Sequence, residues 1–436
     1  AITGLRLGGA PSNNLLRFIG ERTLGNPFYI EQFCYYLSDN KLVEEEAGKL
    51  VMQSDAADIP SSVNALVVSR IDRLSPRLKE AVQAASVLGQ EIDLELLSHL
   101  LGQSRDQTEQ VLNEGRTEQI WNTGDRENRY TFANTLLREA AYDMQLRDRL
   151  RGLHKEAADF LVARNGENKA LAAQTAYHFE NADEREGARK FYSLAADYAY
   201  DNYKSEKALE FYDKLMSYAG EAAEQADILE RKINLLELVG RWDESLAVLG
   251  EAQQLAQSQN DHNSLVGLQE REGEIYQKKG DLDKAVQLLE SSVSEADRLG
   301  DRELQGRGHQ YLGRAYWSSG RYDEALHCFE TALDARREQN DRHGIALNLY
   351  YAGTVLRDRN EYDRAMQNYV ESLEIFEELG DRRYATYPLY DMGVIHQYRG
   401  ELEQAREYFQ KTEALYEEIG YRSGASAALL NLGVIE

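Results

Sequence analysis

Glycine returns every 40 residues along the C-terminal part of the chain, at Gly273, Gly313, Gly353, Gly393 and Gly433. The first four open the pattern G-x-x-[YLH]-x-x-x-[GN]-x-[YL]-[DE]-x-A, which closes on Ala285, Ala325, Ala365 and Ala405. Small residues 12 apart with apolar or aromatic ones between them are what two antiparallel helices need where they cross closely. Turns fall at Gly280-Asp281, Gly320-Arg321, Asn360-Glu361 and Gly400-Glu401, where Gly or Asn takes a left-handed cap at little cost. A second set, 20 residues out of phase, falls at Gly300-Asp301, Asn340-Asp341, Gly380-Asp381 and Gly420-Tyr421. Each unit is therefore a pair of helices of about 16 to 18 residues with no strand signal between them. Stacked pairs predict a right-handed α-α superhelix, an object that binds other molecules rather than transforming them.

At 436 residues the chain exceeds one ordinary domain. A hydrophobic content of 42% supplies a core, while 29% charged residues and a mean hydropathy of -0.61 describe a water-facing protein. No apolar run approaches membrane-spanning length, and no secretory leader pattern precedes the first helix. The two cysteines, Cys34 and Cys328, lie too far apart in sequence to suggest a disulfide scaffold, so a reducing cytoplasm is expected. Net charge is -25, and residues 1–165 hold 19 basic and 24 acidic residues, so 20 of the excess negative charges fall after residue 165. Such acidity argues against nonspecific nucleic-acid binding by the repeats, because phosphate contacts need clustered Lys and Arg.

The first 165 residues read differently. A helix over Asn13 to Thr23 stops at Gly25-Asn26, and Pro27 opens the next, where a missing N–H is tolerated. Leu50 to Met52 suits a short strand, and Ser54 to Asp58 an acidic linker. Pro60 then opens a helix capped by Ser61 or Ser62 and running to Leu74, with Val63, Leu66, Val67 and Ile71 as its buried stripe. Ser75-Pro76 starts another, with Leu78, Ala81, Val82, Ala85 and Leu88 inward, ending at Gly89. Short helices over Asp93 to Leu101 and Ser104 to Glu114 precede a hairpin formed by Glu118 to Trp121 and Asn128 to Phe132 around Thr123-Gly124-Asp125, then a helix over Asn134 to Tyr142. Three helices, a two-stranded wing and a following helix describe a winged helix. Its recognition-position helix carries Arg105 but also Asp106, Glu109 and Glu114. Residues 62–160 hold 13 basic and 16 acidic residues, against the charge a groove-reading domain needs. A spacer or packing role is expected instead.

Gly25-Asn26-Pro27-Phe28-Tyr29-Ile30-Glu31, Ile59-Pro60-Ser61-Ser62-Val63, Arg70-Ile71-Asp72-Arg73-Leu74 and Tyr130-Thr131-Phe132-Ala133-Asn134-Thr135-Leu136-Leu137-Arg138-Glu139-Ala140-Ala141-Tyr142 occur in that order. Together they resemble the end of the ATPase module in STAND-class signal-transduction ATPases, which couple an AAA-like ATPase to tetratricopeptide repeats. The resemblance covers residues 1–165. It implies that Gly25, Asn26 and Pro27 are the lid side of an ATP or ADP site in a longer protein. Phe132-Ala133-Asn134 departs from the commoner Phe-Arg-His there. No Gly-rich loop ending in Gly-Lys-Ser or Gly-Lys-Thr occurs, nor a strand ending in adjacent acids upstream. The expectation is a C-terminal part of such a regulator, without a cofactor or nucleotide hydrolysis of its own.

From Ala170 the 12-residue spacing is irregular: Ala176 with Ala188, Ala196 with Ala208, Ile233 with Ser245. The first two pairs are offset by 20, so one helix near Glu186 to Tyr200 serves two units. His154 and His178 stand isolated on helical faces and read as packing or surface residues rather than metal ligands, since neither has a ligand partner at i+3 or i+4. The expected organisation is 1–58 lid remnant, 59–165 winged-helix-like domain, 166–260 transitional repeats and 261–436 extended solenoid.

The regular repeats resemble tetratricopeptide repeats of the lengthened, 40-residue kind. Gly313, Tyr316, Gly320, Tyr322, Ala325, Phe329 and Ala332 match their packing positions, and Tyr276, Tyr362, Tyr369 and Phe409 belong to the same helix interfaces. Binding belongs on the concave side of each first helix: Gln310, Arg314 and Trp317; Leu347, Tyr350, Thr354 and Arg357; Tyr387, Tyr390, Val394 and Tyr398. Large aromatics and two arginines on one wall suit a peptide or partner-helix groove, whereas the bland alternative is ordinary contact between repeats. The last unit stops inside its first helix, which predicts a longer native chain and invites end-to-end association. No HExxH, CxxC, G-x-S-x-G or Ser-His-Asp order points to an enzyme or a metal site. The chain is thus expected to be a regulatory or sensor segment that binds a protein, peptide or small inducer and relays occupancy to an ATPase. The alternatives are a passive scaffold and, less favoured, winged-helix DNA binding.

Overall fold

Short polar side chains and prolines begin the helices of the first part of the chain in the computed structural model, which describes residues 2–53, 62–124 and 128–435. Helix α1 (Ile2–Leu7) precedes α2 (Asn13–Thr23) and α3 (Pro27–Asp39). Ser12 Oγ accepts from Leu15 N and Asn26 Oδ1 accepts from Tyr29 N at 3.1 Å, so each cap satisfies an otherwise orphaned donor. Leu24 and Gly25, both at positive φ, turn the chain between α2 and α3. Strands β1 (Val43–Glu46) and β2 (Lys49–Met52) pair antiparallel around Ala47-Gly48, both at positive φ as a tight hairpin requires. Only β2 was expected. Three successive glutamates conceal β1 because they all face solvent on an edge strand.

Helices α4 (Val63–Asp72) and α5 (Pro76–Ser86), strand β3 (Glu91–Asp93), helices α6 (Leu94–Leu100) and α7 (Arg105–Thr117), strands β4 (Trp121–Thr123) and β5 (Arg129–Phe132), and helix α8 (Thr135–Asp143) follow. Ser62 caps α4, which ends two residues before the expected Leu74, and α7 runs beyond Glu114 to Thr117. Of the expected hairpin, the second arm is present as β5, while β4 begins at Trp121, where the expected first arm ended, and runs on to Thr123; β3 adds an unforeseen third strand, giving the antiparallel order β3-β5-β4. Gly124 donates its N–H to Arg129 O at 2.8 Å. Asp125, the Ser54–Asp58 linker, Ile59, Pro60 and Ser61 lie outside the described residues. Leu78, Ala81, Val82 and Ala85 are buried with Ile92, Trp121 and Phe132 in one core. A methyl at Gly115 would stand 2.5 Å from the Trp121 ring, so that glycine lets the indole lie against α7 and donate to Leu112 O at 2.7 Å.

The first of two compact units, ending at Tyr218, is completed by α9 (Arg147–Asn165), a 3-10 turn at Lys169–Leu171, α10 (Ala172–Asn181), α11 (Arg185–Asp201) and α12 (Ser205–Tyr218). Helix α11 packs on both α10 and α12, as the 20-residue offset required, and Ala176, Ala188, Ala196 and Ala208 are all buried.

The second unit, Ala219–Glu436, is helical throughout its described residues. It holds α13 (Ala222–Leu238), α14 (Trp242–Ser258), α15 (His262–Lys279), α16 (Leu282–Leu299), α17 (Arg302–Ser318) and α18 (Tyr322–Glu338). It continues with α19 (Arg342–Asp358), α20 (Tyr362–Glu378), α21 (Arg382–Tyr398), α22 (Leu402–Glu418) and α23 (Arg422–Ile435). Every expected turn residue, from Gly280 to Gly420 and including Asn340 and Asn360, has positive φ. At Gly313, Gly353 and Gly393 an added methyl would lie 2.7–2.8 Å from the rings of Phe329, Tyr369 and Phe409. These three rings are fully buried, each stabilising the stack by roughly 1.5–3 kcal/mol. Successive odd-numbered helices from α15 to α21 also touch one another more closely than α16, α18, α20 and α22 do. The unit is a superhelix of helix pairs, and its odd-numbered helices line the shorter, concave side.

Candidate functional site

Polar side chains link neighbouring odd-numbered helices along that concave side. Arg271 Nε meets Glu237 Oε1 at 2.5 Å from α15 to α13, and Arg307 Nε meets Glu270 Oε2 at 2.5 Å from α17 to α15. Arg314 Nη1 meets Glu274 Oε1 at 3.3 Å, Asn348 donates to Gln310 Oε1 at 3.2 Å, and Asn431 donates to the Tyr390 hydroxyl at 2.7 Å. Arg357 pairs with Asp391 across α19 and α21 and with its neighbour Asp358. Asp391 is buried, which pushes its carboxyl upward while the guanidinium of Arg357 opposes that shift. Each wall helix is thus tied to the next by groups that compensate each other's burial.

The expected wall residues divide by position. Leu347, Tyr350, Tyr387, Tyr390 and Val394 are partly exposed on α19 and α21. Tyr350 lies 5.6 Å from Tyr387, and Tyr384 lies 5.5 Å from Tyr387 between ring centroids. Arg314 sits 5.4 Å above the Tyr351 ring and 5.9 Å from that of Tyr311. Trp317 and Tyr398 stand at the helix ends: the indole donates to Asp358 Oδ2 at 2.8 Å, and Tyr398 is 63% exposed beside Tyr362. Gln310 and Thr354 do not form wall surface. Both are buried, Gln310 against Asn348 and Thr354 with its hydroxyl donating to Tyr350 O at 3.0 Å. Counting from the glycine placed them on the correct helices, but Gln310 turns to Asn348 of α19 and Thr354 to Tyr369 of α20. Arg314 and Arg357 are already ion-paired rather than free cations, and Arg314 also lies over the Tyr351 ring.

Sequence reading missed a hollow that lies earlier along the same side. A cleft of about 650 Å³ is bounded by α13, α14, α15 and α17 and includes Ile233, Glu237, Gly267, Leu268, Glu270 and Arg307. The irregular 37-residue step from Ala196 to Ile233 was the available signal, since a disturbed period leaves neighbouring helices imperfectly filled.

In the first unit, Gly25 has positive φ, Asn26 caps α3, and Pro27 occupies the first turn. Pro27 also borders a cleft of about 740 Å³ together with Arg6, Glu31, Arg70, Ala133 and Asn134, which Gly25, Asn26 and Phe132 do not line. Arg6 pairs there with Glu31, while Arg70 donates to Gln32 Oε1 at 3.0 Å and to the Glu118 carbonyl and faces no carboxylate in an ion pair among the described residues. Cys34 and Cys328 are free, buried thiols. Among the described residues no helix is long and apolar enough to cross a membrane, and no group of three or more His, Cys, Asp or Glu is placed to hold a metal.

Comparison with known proteins places a tetratricopeptide repeat model on residues 267–338, 309–378 and 344–418. No curated protein matches the chain. Among solved structures, the chain is similar to a Signal Transduction ATPase with Numerous Domains (STAND) protein with a tetratricopeptide repeat sensor from Pyrococcus horikoshii. The identity is 13% over 98% of this chain and 63% of that one, with a TM-score of 0.46. The chain therefore spans less than two thirds of that protein's length. It is also similar to aspartyl phosphate phosphatase F from Bacillus subtilis, with 12% identity, 86% and 94% coverage and a TM-score of 0.46. A Rap protein complexed with competence and sporulation factor matches at 14% identity, 85% and 98% coverage and a TM-score of 0.42.

Proposed function

We propose, from the tetratricopeptide repeats matched over residues 267–418, that the concave side of the second unit captures a protein or peptide segment. The observation that carries this reading is the partly exposed tyrosine group, Tyr350, Tyr351, Tyr384, Tyr387 and Tyr390, with Arg314 stacked beside it. Tyrosine offers a large, stiff contact face at small entropic cost, and Tyr and Arg dominate the energetics of protein interfaces. The surface does no chemistry of its own in this reading. In the whole protein, occupancy is relayed to an ATPase domain that binds ATP or ADP, which makes the chain a sensor segment in the cytoplasm. A small inducer entering the cleft between α13 and α17 is the variant of this reading that the cleft's volume favours.

Peptides selected from a phage-displayed random library on the full chain provide the probe. Calorimetry with wild type and Tyr387→Ala/Tyr390→Ala is expected to give about tenfold to hundredfold weaker binding in the variant. Equal affinity would remove binding from the tyrosine group. Hydrogen exchange then separates sensor from scaffold: a relay changes protection within residues 13–53 or 63–165 when peptide binds, and a scaffold leaves it unchanged.

A further inference from the structure

The tyrosines of the concave side recur with the helices that carry them. Tyr311 on α17 and Tyr351 on α19 hold the same place 40 residues apart, as Tyr350 on α19 and Tyr390 on α21 do. The Arg314 guanidinium lies 5.9 Å from the Tyr311 ring and 5.4 Å from that of Tyr351. Tyr351 is 5.3 Å from Tyr350, and Tyr350 is 5.6 Å from Tyr387, so one aromatic track crosses α17, α19 and α21. All five of these tyrosines are partly exposed. Helices packed side by side stand about 8–10 Å apart, and the track offers a ring face at that interval.

The polar groups along the track are of one kind. The hydroxyls of Tyr311, Tyr351 and Tyr387 have no hydrogen-bond partner among the described residues and are not shut away from water, so each is a donor open to an incoming acceptor. The charges beside them are ion-paired with one another, Arg314 with Glu274 and Arg357 with Asp391 and Asp358. A segment lying here meets ring faces and hydroxyls, without a free cation for a phosphate or carboxylate or a free carboxylate for Lys or Arg.

We propose that the captured segment is rich in proline and lies across α17, α19 and α21 as a polyproline II helix. The inference rests on the concave side being the capture surface. A polyproline II helix advances about 9.3 Å in three residues, which matches the interval between wall helices, so every third residue reaches the ring face of the next helix. Its carbonyls bond nothing within the segment and proline has no N–H, so it presents acceptors alone, and these receive the tyrosine hydroxyls. Flat, apolar pyrrolidine rings rest on the aromatic faces, and a chain already fixed at φ loses little freedom on docking.

The test uses the same phage-displayed library on the full chain and on Tyr351→Phe/Tyr387→Phe, which keeps both rings and removes their hydroxyls. Wild type is expected to enrich peptides with proline at every third position. Synthetic copies of these should bind about tenfold more weakly to the phenylalanine variant, with circular dichroism checking that its helices persist. Respacing the prolines to every second or fourth position, at the same composition, should weaken binding to wild type about tenfold as well. Enrichment of peptides without proline, or respaced peptides that bind as tightly as the originals, overturns the inference. Equal affinity of the proline-rich peptides for wild type and the phenylalanine variant also overturns it, because the hydroxyls then serve no carbonyl. If peptides without proline still lose affinity in Tyr387→Ala/Tyr390→Ala, the capture surface stands and only the chemistry of the partner was wrong. If no peptide is enriched, or none responds to either variant, both readings fall.

Discussion

His154 and His178, 24 residues apart, meet inside the first unit with their Nδ1 atoms 3.0 Å apart, while His154 Nε2 lies 3.0 Å from the Tyr142 hydroxyl. One Nδ1 must carry a proton and the other must not, so protonating the accepting ring removes the contact. Burial holds His154 at about 4 and, with His154 adding to the effect, His178 at about 3, both below the ordinary 6.5. Folded pKa values lower than unfolded ones mean that the unfolded chain binds more protons. Stability is therefore full above about pH 6.5 and falls as pH drops towards 4 and 3. Each histidine contributes up to about 1.4 kcal/mol per pH unit within that window. His178→Gln should flatten the fall in urea midpoint between pH 6.5 and pH 4.5 relative to its own value at pH 7. An unchanged slope would mean that other groups set the acid sensitivity. Sequence left a packing or a surface role open for both residues; burial decides for packing, and nothing local marks a contact made between α9 and α10.

At the scale of elements, two polar devices repeat with the helices and differ in worth. Asp281, Asp301, Asp341 and Asp381 cap helices with their carboxylates, as Asp341 Oδ1 does by accepting from Gly344 N at 2.9 Å. Arg302, Arg342 and Arg382 form ion pairs with Glu338, Glu378 and Glu418 at the same 40-residue interval. The caps serve donors that the helix cannot otherwise satisfy, whereas the pairs are exposed and compete with water. Asp341→Ala should cost about 1 kcal/mol or slightly more, since Asp341 also pairs with Arg336 at 2.9 Å. Arg342→Ala should stay within about 0.5 kcal/mol. Urea titrations followed by Trp317 fluorescence check both, and equal losses would mean that the exposed pairs are more than surface decoration. The Gly and Asn turns were legible because they are local requirements of the backbone, while the capping role of the aspartates that follow them was not assigned. Strands β1 and β3 were not legible, because four and three residues respectively become strands only through their partners.

For the whole molecule, the division at Tyr218 gives each unit its own buried clusters. Their unfolding should not coincide. In a Trp242→Phe/Trp317→Phe variant the remaining Trp121 reports the first unit, and in Trp121→Phe/Trp242→Phe the remaining Trp317 reports the second. Urea curves from the two are expected to differ in midpoint, and superimposable curves would show a single cooperative block. The sequence by itself determined the helix pairs, their 40-residue period, the left-handed turns and the glycine–ring contacts, since each depends on residues at fixed spacing along one chain. Tertiary structure decided which wall residues reach the surface, that Gln310 and Thr354 do not, that Arg314 and Arg357 are ion-paired, and that a cleft lies between α13 and α17. Those outcomes depend on how far each helix rotates and which side chain of its neighbour meets it. A period records only that the helices stack, because every rotation compatible with the buried stripe satisfies it equally.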